Sequence, residues 1–215
     1  TVVISLSRAS KASTMQEAWA YFTGHTGISG KSYSPSITGT GCQRNFVIYI
    51  SNTQKNPSSS ESGTASAALV SAGGSTSSPI TGSISFTTGI CPTNQLPNGS
   101  TSYTLLSGNN WADEWARFMY QTDAGASGNE GIQNIITYTI GVQSSGNQCS
   151  NDTYGLIASM AKNGGGKFFN TASVDDLTAA LNSILNEVQA VNSVFSSASL
   201  PVRQWRRPAS SRRWL

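Results

Sequence analysis

Charge is the scarcest feature of this chain. Asp, Glu, Lys and Arg make up 11% of its 215 residues, and the first aspartate is Asp113. So low a charge, with 21 glycines and loops rich in Ser, Thr and Asn, fits an exported, non-enzymatic surface protein better than a highly charged solvated domain. Histidine is nearly absent: His25 stands alone, has no nucleophile near it in sequence, and reads as a loop residue after a helix end at Gly24. No Cys-x-x-Cys pair occurs, which argues against a structural zinc site. No apolar run approaches the roughly 20 residues that span a bilayer, so no transmembrane segment is expected. Nor is a signal peptide visible in Thr1 to Leu6, which lacks a basic start and a cleavage pattern; an exported protein would have lost its leader or would begin inside a longer gene.

Cysteine is sparse and odd in number. Of the three, Cys91 and Cys149 lie in polar loops and form the expected disulfide of an oxidising compartment, whereas Cys42, beside an apolar strand, reads as a small core residue. Net charge is +3, but five of the 13 basic residues fall in the last 13 positions, from Arg203 to Arg213. Without them, eight basic residues face ten acidic ones. That single cluster has no other basic surface to support it, so nucleic acid is not an expected partner. The tail 201–215 reads instead as a disordered extension or a frameshifted or truncated end.

What the chain does contain is a legible run from Asn109 to Val191. Trp111, Trp115, Phe118 and Met119 fall at i, i+4, i+7 and i+8, one face of a helix over Trp111 to Gln121 capped by Asn109 or Asn110. Ile135 to Val142 is β-branched and apolar on both faces, as a central parallel strand should be. Asn151 or Asp152 opens a second helix with Leu156, Ile157 and Met160 as its buried stripe, and Gly164, Gly165 and Gly166 end it. A short strand over Lys167 to Asn170 follows. Ser173 with Asp176 forms a capping box for a last helix whose apolar face is Leu177, Leu181, Ile184, Leu185 and Val188. Helix and strand in alternation imply an α/β fold, a doubly wound, mostly parallel sheet flanked by helices.

The middle of the chain is less regular. Ser62 to Ala72 can form an Ala-rich helix, while 73–103 is a Ser/Gly/Thr-rich insertion with short alternating pieces at Ile80 to Phe86 and Tyr103 to Leu106. It is either a small β-insertion or a functional excursion. Val2 to Leu6 looks β-like. Two carboxylate pairs, Asp113 with Glu114 and Asp175 with Asp176, sit in first turns and point to different helix faces, which favours dipole and cap roles over acid/base work. Gly164 to Gly166 follows a helix and precedes a strand, the reverse of a phosphate cradle.

These segments carry a resemblance. Asn134 to Val142, Met160-Ala-Lys-Asn-Gly-Gly-Gly-Lys-Phe-Phe169 and the Asp175-Asp176-Leu177 helix resemble the closing half of a von Willebrand factor A domain, more narrowly the N-terminal domain of the PilC/PilY family of type IV pilus biogenesis proteins and tip adhesins. Cys42-Gln-Arg-Asn-Phe-Val-Ile-Tyr-Ile-Ser-Asn52 is similar to the strand such domains place at their metal-binding edge, and Glu17 to Gly24 to the helix before it. The resemblance covers roughly residues 12 to 200 and implies one A-like domain over 1–200. Its metal-binding members use an Asp-x-Ser-x-Ser motif, a Thr and an Asp, oxygen ligands suited to Mg²⁺ or Ca²⁺. Thr14 aligns with the Thr position and Asn52 with the Asp position, but no Asp-x-Ser-x-Ser occurs. Neutral Asn52 and the missing first-loop carboxylate remove the anionic charge that holds a hard cation, so no cofactor is expected. Thr14 can instead cap a helix starting at Met15 with Glu17, and Asn52 suits a strand-terminating turn.

The resemblance implies a non-catalytic domain of a pilus assembly or tip-associated adhesin in the periplasm, outer membrane or pilus tip, binding minor pilins or a host-surface protein. Two alternatives stand beside it: a metal-dependent A-domain subunit of a chelatase-like enzymatic assembly, and a truncated product without function.

Overall fold

The computed structural model describes residues 2–6, 11–37, 44–51, 59–81, 83–85, 102–104, 110–125, 131–142 and 152–196. Four strands form a parallel sheet: β1 (Val2–Leu6), β2 (Asn45–Ser51), β5 (Ile135–Val142) and β6 (Gly165–Thr171), in the order β1-β2-β5-β6. The β-like opening segment therefore is a strand, at the sheet edge. Between them lie α1 (Lys11–Thr23), α2 (Ser59–Ser71), α3 (Ala112–Gln121) and α4 (Asp152–Asn163), and α5 (Val174–Ser196) closes the chain. The irregular middle contributes β3 (Ser83–Ser85) and β4 (Ser102–Thr104), a separate antiparallel pair; residues 82 and 86–101 of the insertion lie outside the described residues. The tail 201–215 lies outside the described residues.

Each central strand alternates between two cores. Phe46, Ile48 and Ile50 of β2, with Tyr138 and Ile140 of β5, pack against Ala180, Ile184 and Val188 of α5. Val47, Tyr49 and Ile135 point the other way, into a larger core with Met15 and Phe22 of α1, Leu69 of α2, Trp115 and Met119 of α3, and Ile157 and Met160 of α4. Burying each such side chain contributes about 1.5–3 kcal/mol. Helices thus cover both faces, as expected of an α/β fold, but unequally. Strand order among the described residues never reverses; parallel crossovers are right-handed, so the helices between strands collect on one face. The reversal that gives a doubly wound sheet its ligand crevice is not found among these strands.

Local chemistry explains most boundaries. Ser173 Oγ accepts from the Asp176 backbone N–H and Asp176 Oδ2 accepts from that of Ser173, both at 3.1 Å, the reciprocal capping box read from the sequence. Gly165, at φ +72°, takes the left-handed turn that ends α4 and starts β6. A Cβ on Gly166 would collide with the Thr137 carbonyl, and β5 and β6 shift register beside it.

Four expectations need correcting. Helix α3 begins after Trp111, whose backbone is left-handed at φ 48° and makes no side-chain cap bond; neither Asn109 nor Asn110 holds the cap position. Trp111 packs its ring against the large core, and the turn serves that packing. Helix α1 starts at Lys11, not Met15, because Lys11 and Ala12 are already buried; Thr14 lies within its first turn and does not cap it. Leu185 is 41% exposed, outside the narrower stripe that α5 presents to the sheet. Strand β6 begins two residues before Lys167.

Candidate functional site

Three helices of the crowded face end together. The last turns of α1, α2 and α3 border a cleft of about 980 Å³, lined by Trp19 and Thr23, by Ser71 to Gly73, and by Phe118, Thr122 and Asp123. It lies at the amino end of the sheet, because the exit of α3 is bonded to the entry of β5: Ala124 N–H donates to the Gln133 carbonyl at 3.0 Å and Asn134 Nδ2 to that of Tyr120 at 3.2 Å. Its volume is at the upper end of the range for small-molecule sites.

The wall after α1 is held by two side chains, Gln16, which the sequence does not single out, and Glu17. Buried Gln16 accepts from Ile28 N–H at 2.7 Å and donates Nε2 to the Thr26 carbonyl at 3.3 Å. Glu17 accepts from Ser29 N–H at 2.6 Å and from the Tyr33 hydroxyl at 2.8 Å. Partial burial pushes the Glu17 carboxyl up, but these bonds together with Lys31 outweigh it and hold it below its ordinary value. Gly27 sits so close that any Cβ would strike the Glu17 carboxylate. The Glu17 pairing with Thr14 in a capping box is therefore replaced by a clamp on the loop.

Aromatic rings form the floor. Trp19 stacks on His25 with centroids 4.5 Å apart and meets Trp115 and Phe118 at 5.6 and 6.5 Å. His25 is exposed, as expected for a loop residue, and Nδ1 shares a hydrogen bond with Thr23 Oγ1 at 2.9 Å. On the rim, Asp123 Oδ1 accepts from Gly125 N–H at 2.9 Å and Gln133 N–H at 3.0 Å, which fixes the carboxylate at the mouth.

Behind this cleft, α3 carries the feature that sequence reasoning misjudged. Asp113 and Glu114 do occupy the first turn, but they are 2% and 3% exposed rather than surface dipole partners. Asp113 Oδ2 accepts from Ser159 Oγ of α4 at 2.6 Å, and Ser159 Oγ in turn accepts from Asn163 Nδ2 at 3.0 Å. Glu114 Oε1 accepts from Ile80 N–H at 2.7 Å, while Asp113 Oδ1 and Glu114 Oε2 have no hydrogen-bond donor. Burial, reinforced by the adjacent Glu114, pushes the Asp113 carboxyl up to about 8 against the opposing bond from Ser159. Asp113 thus keeps its proton at neutral pH and ties α3 to α4, while Glu114 ties α3 to the segment after α2.

Of the residues singled out for metal or disulfide chemistry, Thr14 alone is among the described residues. Thr14 is half-buried in α1, on the helix end away from the cleft, while Asn52, Cys42, Cys91 and Cys149 lie outside the described residues. Thr14 and Asn52 offer a hydroxyl and an amide, neutral donors that do not by themselves compose a Mg²⁺ or Ca²⁺ site. Among the described residues no group of three His, Cys, Asp or Glu is placed to hold a metal ion, and no helix is long and apolar enough to cross a membrane. Comparison with family models, curated proteins and solved structures finds no match to this chain.

Proposed function

We propose that this chain is a non-catalytic, von Willebrand factor A-like domain of a type IV pilus biogenesis protein or tip-associated adhesin. It acts outside the cytoplasm by binding other proteins, minor pilins or a host-surface protein, and needs no cofactor. The observation that supports this reading most is one of order. The segments that carry the resemblance fall on consecutive elements β5, α4, β6 and α5 of one parallel α/β unit, with Asn45–Ser51 as the neighbouring central strand. Fold alone does not carry function, so the wide cleft at the amino end of the sheet is the second support: it is a concave surface open to a partner.

Immobilised chain titrated with purified minor pilins tests the proposal. Saturable binding to at least one pilin, together with lost adhesion when the corresponding coding region is deleted, is the expected result. Absence of pilin binding with unchanged piliation and adhesion after deletion would refute it.

A further inference from the structure

We infer that the cleft between the ends of α1, α2 and α3 is a binding site for a basic side chain, an arginine or lysine presented by a peptide segment of a protein partner. The inference rests on the protein-binding reading above and adds the chemistry of what is bound.

Charge complementarity decides the occupant. Three helix C-termini converge there, at Thr23, Ser71 and Gln121, and each carries roughly half a negative charge on its outward carbonyls. Asp123 adds a carboxylate to the cleft lining, fixed in place by the two backbone N–H groups that donate to Oδ1. None of the described residues lining the cleft is lysine or arginine, so no such side chain among them balances that potential. Trp19 and Phe118 present ring surface in the same space, where a guanidinium or ammonium is attracted to the aromatic quadrupole within about 6 Å of a ring centroid. A carboxylate ligand would meet repulsion on every wall. A purely apolar one would leave the Asp123 carboxylate at the mouth without a counter-charge. A basic side chain with its aliphatic stem satisfies both the charged rim and the aromatic floor.

The site is also separate from the position where an A domain holds its metal. Thr14 belongs to the first turn of α1 and the cleft to its last, so the two lie at opposite ends of the helix and of the sheet.

Binding is measured by Trp fluorescence and calorimetry with a capped Gly-Ser-Arg-Ser-Gly peptide, its lysine version, and a control in which citrulline replaces arginine. Expected are saturable binding of the Arg or Lys peptide, about tenfold weaker binding of the citrulline control, and a Kd that rises with salt. Asp123→Asn keeps an acceptor for Gly125 and Gln133, so the fold is retained while affinity for the basic peptide falls about three- to tenfold. Equal binding of arginine and citrulline peptides, no saturable binding of any, or an unchanged Kd in Asp123→Asn overturns the inference. Pilin binding that survives Asp123→Asn removes this site but leaves the pilus reading standing. Basic-peptide binding without any pilin binding does the reverse.

Discussion

Asp113→Asn should make this protein more stable at slightly alkaline pH, an unusual outcome for altering a fully buried hydrogen-bonded residue. Asp113 titrates at about 8 in the folded chain against about 3.9 when unfolded. Between those values the native state binds a proton that the unfolded state has lost, so stability falls as pH rises, by about 1.4 kcal/mol per unit. The contribution is complete below pH ~4, declines across the interval and is lost above pH ~8. From pH 5 to 8 the wild type therefore forfeits about 4 kcal/mol at this one site, a large part of a typical total of about 5–15 kcal/mol.

Asparagine is neutral in both states, keeps an acceptor for Ser159 Oγ and turns a donor toward Glu114, so it removes the slope without opening a cavity. The assay is urea unfolding of both proteins at half-unit steps from pH 5 to 8.5. At pH 5 the two should lie within about 1 kcal/mol, the size of one rearranged hydrogen bond; at pH 8 the variant should lead by about 3 kcal/mol or more. Titrating groups that do not touch Asp113 are common to both proteins and cancel in the difference. Parallel pH profiles for wild type and variant would refute the account of Asp113 as an acid that burial keeps protonated.

Other substitutions test separate links. Ser173→Ala removes one half of the α5 capping box and should cost about 1 kcal/mol in thermal unfolding. Gly166→Ala forces a methyl group into the Thr137 carbonyl and should cost about 3 kcal/mol, with amide exchange accelerated along β5 and β6. Trp115→Phe leaves the Ala65 carbonyl without its 3.1 Å donor in a closed core and should cost about 2–3 kcal/mol, read by urea denaturation. Lys167→Ala breaks an exposed ion pair with Glu187 and should shift stability by less than about 1 kcal/mol, an effect that shrinks further in salt.

How much of this was legible in the sequence follows from the range of the interactions involved. The α5 capping box, the glycine exit of α4 and strand β5 depend on residues a few positions apart, and the sequence predicts each. The cap of α3 was misplaced because Trp111 adopts a left-handed backbone in packing its ring on a core built from other segments. The burial of Asp113 and Glu114 was invisible for the same reason. It is produced by Ser159, 46 positions away, and by the backbone of Ile80, 34 positions before Glu114. A signal did exist: two adjacent acids beside Trp115 in a helix with a strong apolar face leave one of them no exposed side to occupy. The cleft had no local signature at all, since its walls come from the ends of three helices separated by a strand and by the insertion.

One-directional winding ties these features together. Because each crossover returns to the next strand on the same side, α1, α3 and α4 share a face, with α2 packed beyond on α1. Parallel β-helix-β units all send their helix C-termini toward the amino end of the sheet. On a sheet wound both ways, those ends would be divided between two faces. Here three converge, concentrating negative potential where α3 enters β5, while the crevice that a strand-order reversal would open at the carboxyl end is missing from the described strands. Crowding the helices onto one face also forces side chains between them into burial, which is how Asp113 of α3 comes to lie against Ser159 of α4 and Glu114 against the Ile80 backbone. Reversing the charge at the cleft mouth alone, by Asp123→Lys, should thus abolish basic-peptide binding while leaving the Asp113-dependent pH profile of stability intact; loss of both together would show that the cleft and the acid pair are one coupled device rather than two consequences of the same winding.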